Sequence, residues 1–142
     1  MGRYCAYQDR CHQEVRQKLW EMKMIPEAID HIMAYLIEND FLNEQRFAES
    51  FTRGKFRIKN WGKIRIVREL KQREISQFII KKSLRQIKDQ EYMQALDKLA
   101  RKRLQALSNL NRLKKKQKLA YYLLYRGWEN DLVYDKIREL LD

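Results

Sequence analysis

Apolar residues recur along this chain at intervals of three and four, the spacing of one face of a helix. Tyr4, Tyr7, Cys11, Val15 and Leu19 form one such stripe and predict a first helix from about Tyr4 to Met22. Pro26 stands where a helix can begin without losing a needed hydrogen bond. Ile29, Ile32, Met33 and Leu36 supply the inner face of a second helix ending near Asn39-Asp40. A third starts at Asn43, an N-cap residue whose neighbours Leu42 and Phe47 make a hydrophobic staple. Phe47, Phe51, Gly54 and Ile58 continue at helical spacing and predict its buried face. Asn60-Trp61-Gly62 interrupts the pattern, and the next helix begins near Lys63 with Ile66, Val67 and Leu70 inward.

The pattern then repeats. Val15, Leu19, Ile25 and Ile29 are matched by Ile66, Leu70, Ile75 and Ile79, and again by Leu119, Leu123, Trp128 and Leu132, at intervals of about 51 and 53 residues. Ser76 caps the second copy between Ile75 and Ile80, and Gly127 stops a helix in the third. Tyr92, Leu96, Leu99 and Ala100 mark a further helix, while Ser108-Asn109 and Asn111 form the weakest helical stretch after it. One three-helix unit buries little surface alone, so the expected architecture is an elongated array of tandem three-helix repeats. The units are residues 1–58, residues 59–107 and a truncated third, residues 108–142, with two helices.

Composition agrees with an all-α chain. Gly numbers 4 and Pro 1, too few for the turns of an all-β fold. The charge changes the picture more. Arg53 to Arg73 holds nine Lys or Arg against the single acid Glu69, and Lys98 to Lys118 holds nine basic residues and no acid. These segments exceed the whole chain's net +12, so the remainder is acidic. Positive charge confined to two patches suits a polyanion or an acidic protein surface. The candidate contact residues are Lys59, Trp61, Lys63, Arg65, Arg68, Lys71 and Arg73 in one patch and Lys114, Lys115, Lys116 and Lys118 in the other. Trp61 is read first as a packing residue at the joint between repeats, with stacking on a base as the alternative. Tyr121, Tyr122 and Tyr125 resemble a contact surface, two of the three being expected to face the core.

Other chemistry finds little support. The spacing of Cys5 and Cys11 fits no structural zinc pattern, so both read as small core residues. His12 and His31 accompany no nucleophile motif, and no Gly-rich phosphate cradle occurs. The expectation is a non-enzyme without metal or cofactor. No apolar run approaches the roughly 20 residues of a membrane span, and residues 1–10 have no signal-peptide core, so the expected site of action is the cytoplasm.

Two linked segments carry a family resemblance. Leu36…Phe41-Leu42-Asn43-Glu44-Gln45-Arg46-Phe47-Ala48-Glu49-Ser50-Phe51, followed by Trp61-Gly62-Lys63-Ile64-Arg65-Ile66…Leu70, resembles the RecX family of recombinase regulators. Tyr4-Cys5…Arg10-Cys11…Glu14 to Leu19 resembles the family's opening helix, and Tyr122 to Trp128 its closing repeat. Asp40 and Glu74 stand where the family usually has Gly at a helix end, Asn43-Glu44 replaces an Asp pair, and Asn60 replaces a common Gly. Asp40 tolerates a left-handed backbone better than Glu74, so a differently built turn is expected at Glu74. The resemblance implies tandem three-helix repeats. It also implies binding to the RecA recombinase filament, with weak affinity for single-stranded DNA, and inhibition of RecA's ATP hydrolysis, strand exchange and SOS co-protease activity by a monomer. The alternative is a stand-alone helical DNA-binding protein acting without RecA.

Overall fold

The computed structural model describes residues 1–142 and is entirely helical. Its elements are α1 (Gly2–Tyr7), α2 (His12–Glu21), α3 (Pro26–Glu38), α4 (Glu44–Arg57), α5 (Lys63–Gln72), α6 (Gln77–Leu84), α7 (Asp89–Ala106), α8 (Arg112–Tyr125) and α9 (Asn130–Leu141). The longest, α7, has 18 residues, and no helix is long and apolar enough to cross a membrane. The chain divides into two units. Unit 1 is Met1–Thr52 with Glu69–Leu84; unit 2 is Arg53–Arg68 with Arg85–Asp142. The division falls within α4 and α5.

Unit 1 is built on Cys5, Val15, Leu19, Ile29, Met33, Leu36 and Leu42, all buried. The single first helix expected from the tyrosine stripe is instead two. Gln8 and Cys11 are extended, and the Cys11 N–H donates to the Glu14 carboxylate at 3.1 Å, which starts α2 afresh. Arg10 folds back onto Tyr4, donating to its carbonyl at 3.3 Å with its guanidinium 3.8 Å from the ring centre. Both cysteines are buried free thiols, and burial pushes Cys11 up to about 12, so it stays protonated. α4 starts as its sequence indicates: Asn43 Oδ1 accepts the Arg46 N–H at 3.0 Å, with Leu42 and Phe47 both buried. Its inner face is turned from the expected one. Ala48, Thr52 and Phe56 are buried, Phe51 and Gly54 are half-buried, and Ile58, past the last turn, is 76% exposed.

Helices α2, α3, α5 and α8 all end alike. The residue after the cap has positive φ: Lys23 (62°), Asp40 (58°), Glu74 (60°) and Gly127 (91°). Its N–H and the next one donate back into the last turn, as in Ile75 N–H to Leu70 O at 3.1 Å and Trp128 N–H to Leu123 O at 3.2 Å. The turn at Glu74 is therefore built like the others, with a non-glycine residue held left-handed. Asn60 (φ 60°), after α4, is left-handed too. This closure corrects the repeat register. The inward residue after the turn is Met24, matching Ile75 and Trp128, whereas Ile25 caps α3 and is 63% exposed. Five residues beyond lie Ile80 and Val133, both buried, rather than the half-buried Ile79 and Leu132. In this register positions 15, 19, 24 and 29 recur at 66, 70, 75 and 80 and at 119, 123, 128 and 133. Glu74→Gly is expected to raise stability by about 1 kcal/mol, because a side chain in the left-handed region costs roughly that much. Urea unfolding followed by circular dichroism reads it, and a loss of stability would contradict it.

Unit 2 is organised around the start of α5. Tyr92, Leu96, Leu99 and Ala100 of α7 are buried as expected, together with Leu119, Leu123, Trp128, Val133 and Ile137. Trp128 stacks on Tyr92 at 4.5 Å between centroids, and Phe56 lies 5.9 Å from Tyr92 and 6.5 Å from Trp128. The first N–H groups of a helix have no partner within it. Here Gly62 N–H donates to Arg126 O at 2.8 Å, Lys63 N–H to Tyr92 Oη at 2.9 Å and Ile64 N–H to Gly127 O at 3.0 Å. Tyr92 in turn donates to Glu129. Burial, then that carboxylate, raises the phenol's pKa well above its ordinary value.

Candidate nucleic-acid and partner interface

The helix break at Asn60-Trp61-Gly62 sets the start of α5 against the α8–α9 turn. Backbone bonds from Gly62 and Ile64 to that turn fix the first turn of α5, and with it the direction of Arg65. The Arg65 guanidinium lies 4.2 Å from the Trp61 ring centre and 5.3 Å from that of Tyr125. Lys55 Nζ is 4.9 Å from Trp61. Tyr125 stacks on Tyr121 at 6.0 Å with 20° between planes. Cations and rings thus run along one surface of unit 2 in the order Lys55, Trp61, Arg65, Tyr125, Tyr121. Each pairing of this kind adds roughly 0.5–1 kcal/mol at an exposed site. The greater consequence is positional, since flexible cations are held at set places.

Next to this row, sharing Tyr121 and Tyr125, is a cleft of about 520 Å³. Its other walls are Arg103 of α7, Gln117, Lys118 and Tyr122 of α8, and Arg126 of the turn. Arg126 lies 3.8 Å and Arg103 4.7 Å from the centre of Tyr122. No carboxylate lines the cleft.

The eleven residues singled out from sequence fare differently. Lys59 and Arg68 are exposed, and Trp61 and Arg65 are half-buried partners in the row. Trp61 is therefore both a packing residue and part of a surface. Lys63 is half-buried, its ammonium 4.5 Å from the Tyr92 ring centre. Lys71 and Arg73 fall in unit 1. Lys71 is exposed, whereas Arg73 is held by the Glu69 carboxylate at 3.2 Å and lies 4.9 Å from the Phe51 ring centre. Arg73 is thus a structural cation more than an offered one. In α8, Lys114 and Lys118 are exposed and Lys115 is half-buried; Lys116 pairs with Asp142, which also holds Arg112 at 2.9 Å. Asn111 caps this helix, accepting the Lys114 N–H at 2.9 Å.

Tyr121 and Tyr125 are 72% and 60% exposed and Tyr122 is half-buried, so none of the three is a core residue. Three cations of the row and the cleft are not among the eleven candidates: Lys55 and Arg103, which the basic segments include without distinguishing them, and Arg126. Arg126 carried a faint signal, standing four residues after Tyr122 and beside Gly127. Arg103 carried only the charge of its segment, because its ring partner Tyr122 is on another helix.

Residues 43–84 match the family description "RecX, second three-helix domain", and residues 89–137 match "RecX, third three-helix domain". The chain belongs to the RecX family. A protein named Regulatory protein RecX from Escherichia coli (strain SE11) is 31% identical over 150 residues, covering 99% of this chain and 89% of its own length. RecX relatives from Clostridium acetobutylicum (28% identical, 92% of this chain) and Listeria welshimeri (25%, 91% of this chain) are longer; this chain spans 62% and 48% of them. The crystal structure of RecX from Lactobacillus salivarius superposes with a TM-score of 0.82 at 28% identity, over 97% of this chain and 90% of that one. The two RecX segments group α4–α6 and α7–α9, whereas the apolar repeat begins its cycle at α2, α5 and α8.

Proposed function

We propose that this protein regulates the RecA recombinase, as an inhibitor, by docking on the filament that RecA forms on single-stranded DNA. It acts in the cytoplasm, without catalytic chemistry, by occupying the filament and restraining its ATP hydrolysis, strand exchange and co-protease activity. Family membership supports RecA as the partner. The observation that carries the mode of binding is the ordered cationic and aromatic surface of unit 2, whose cleft walls contain no carboxylate. Such a surface suits phosphates and unstacked bases next to protein.

Lys59→Glu combined with Arg68→Glu is the direct test. Both side chains are exposed, and surface changes usually shift stability by no more than about 0.5 kcal/mol. Arg65 is unsuited to it because Trp61, Tyr125 and Gly127 pack against it. The double variant is expected to melt like the wild type and to bind the filament roughly tenfold more weakly, with a shallower dependence on salt. Unchanged filament affinity would remove the first basic segment from the interface. The second reading, a DNA-binding protein acting without RecA, is favoured by the same stacked tyrosines. It requires tight, salt-dependent binding to bare DNA.

A further inference from the structure

The cleft beside the stacked tyrosines has the chemistry of a nucleotide site. Its volume of about 520 Å³ lies within the roughly 300–1,000 Å³ of clefts that hold small ligands. Arg103, Arg126 and Lys118 bring three positive charges, and the lining offers no acid to neutralise them. The two guanidiniums are set against Tyr122, which limits where they can move. Arg103 Nε is buried and has no hydrogen-bond partner within the protein. At the rim, Tyr121 and Tyr125 expose most of their surface as a stacked pair four residues apart on α8. Burial in the core does not account for two rings so exposed, nor does an ion-pair network for cations without acids.

We propose that this cleft receives one nucleotide of an unpaired strand, the phosphate held by Arg103, Arg126 and Lys118 and the base lying flat on the Tyr121–Tyr125 pair. The proposal deepens the filament reading, on which it rests for the strand as the source of the nucleotide. A base inside a duplex has both faces covered by its neighbours and cannot lie on a tyrosine, so the site selects single strands. Neighbouring phosphates along the strand would then meet Arg65 and Lys55 in the adjoining row.

Fluorescence anisotropy with three probes at one salt concentration tests this: a twelve-residue oligothymidylate, an abasic oligomer of the same length and charge, and thymidine monophosphate. The proteins are the full chain, Tyr121→Ala with Tyr125→Ala, and Tyr121→Phe with Tyr125→Phe. The wild type is expected to prefer oligothymidylate over the abasic oligomer by roughly tenfold, the scale of one stacked base. The alanine pair is expected to lose that preference while keeping its affinity for the abasic oligomer, and the phenylalanine pair to retain both. Equal wild-type affinity for the two oligomers, or an alanine pair that still prefers thymidylate, would overturn the proposal. Thymidine monophosphate binding as tightly as the oligomer would overturn the strand as its source. Inhibition of RecA by the wild type, assayed in parallel, separates the two ideas: its absence sinks the filament reading whatever the oligomers show, and its presence beside failed oligomer tests sinks only the cleft.

Discussion

Gly127→Ala is expected to destabilise the protein by about 3 kcal/mol or more and to lower its melting temperature by roughly 10 °C. Two costs add. Gly127 has φ +91°, where an L side chain is strained by roughly 1–2 kcal/mol. A Cβ there would also lie 2.3 Å from Arg65 Cβ, 2.4 Å from Arg65 N and 2.8 Å from Arg65 Cα. Two of these are backbone atoms of a helix and cannot swing aside. The turn must move away from α5, weakening the Gly62 and Ile64 hydrogen bonds, each worth about 1 kcal/mol. Gly62 makes the reciprocal approach, its Cβ meeting Gly127 O at 2.4 Å and Trp128 Cα at 2.6 Å, so Gly62→Ala should fail likewise. Gly54→Ala is the control. Nothing lies within 4 Å of its Cβ, and alanine within α4 should gain about 0.5–1 kcal/mol. Thermal melts of the three variants decide the matter; Gly127→Ala melting within about 2 °C of the wild type would refute the close approach.

Trp128→Ala is expected to cost about 3–5 kcal/mol, the range for truncating a fully buried large aromatic side chain. Trp128 is 1% exposed. It stacks on Tyr92, touches Phe56, and its indole N–H donates to the Asn60 carbonyl at 3.1 Å. Truncation opens a cavity and strips a partner from the left-handed Asn60 that precedes Trp61. Trp128→Phe keeps part of the ring contact and should lose less, chiefly the hydrogen bond and some volume. Because Trp128 adjoins Gly127 and Gly62, its loss should not add to theirs in a double variant. Urea unfolding of single and double variants measures both statements, and simple additivity would show that this joint is not one packed unit. The joint also orients Arg65 over Tyr125, so these variants should lose partner binding beyond what instability explains.

The chain's helical character and many of its helix ends were legible in the sequence because the residues that make them are specific. Asn43, Ser76 and Asn111 each place a side-chain oxygen on a backbone N–H three residues on. Gly127 is the residue type that its turn requires. Where the end is made by an unlikely residue, the reading slipped. Cys11 is an uncommon cap, so the stripe from Tyr7 through Cys11 to Val15 read as one helix. Lys23 gives no sign of a left-handed turn and Glu74 does so only through the family resemblance, so apolar spacing alone aligns the repeat on Ile25 and Ile79 when the inward positions are Met24 and Ile80. The exposed Ile58 misled for a related reason: it has the right spacing but follows the last turn of α4. The basic segments were visible as charge, yet charge does not tell Arg73, spent on Glu69 and Phe51, from Arg68, which is exposed. The pairing of Arg65 with Tyr125 and of Arg103 with Tyr122 joins residues distant in the chain, and no local pattern announces it.

The central claim is that this RecX-family protein acts on the RecA filament rather than on DNA alone. ATP hydrolysis by the cognate RecA on single-stranded DNA, measured while the protein is titrated in, tests it when bare-strand binding is measured at the same salt. The expected result is a fall in hydrolysis at concentrations too low to coat the bare strand. Undiminished hydrolysis together with tight binding to the bare strand would contradict the claim and leave a stand-alone DNA-binding protein.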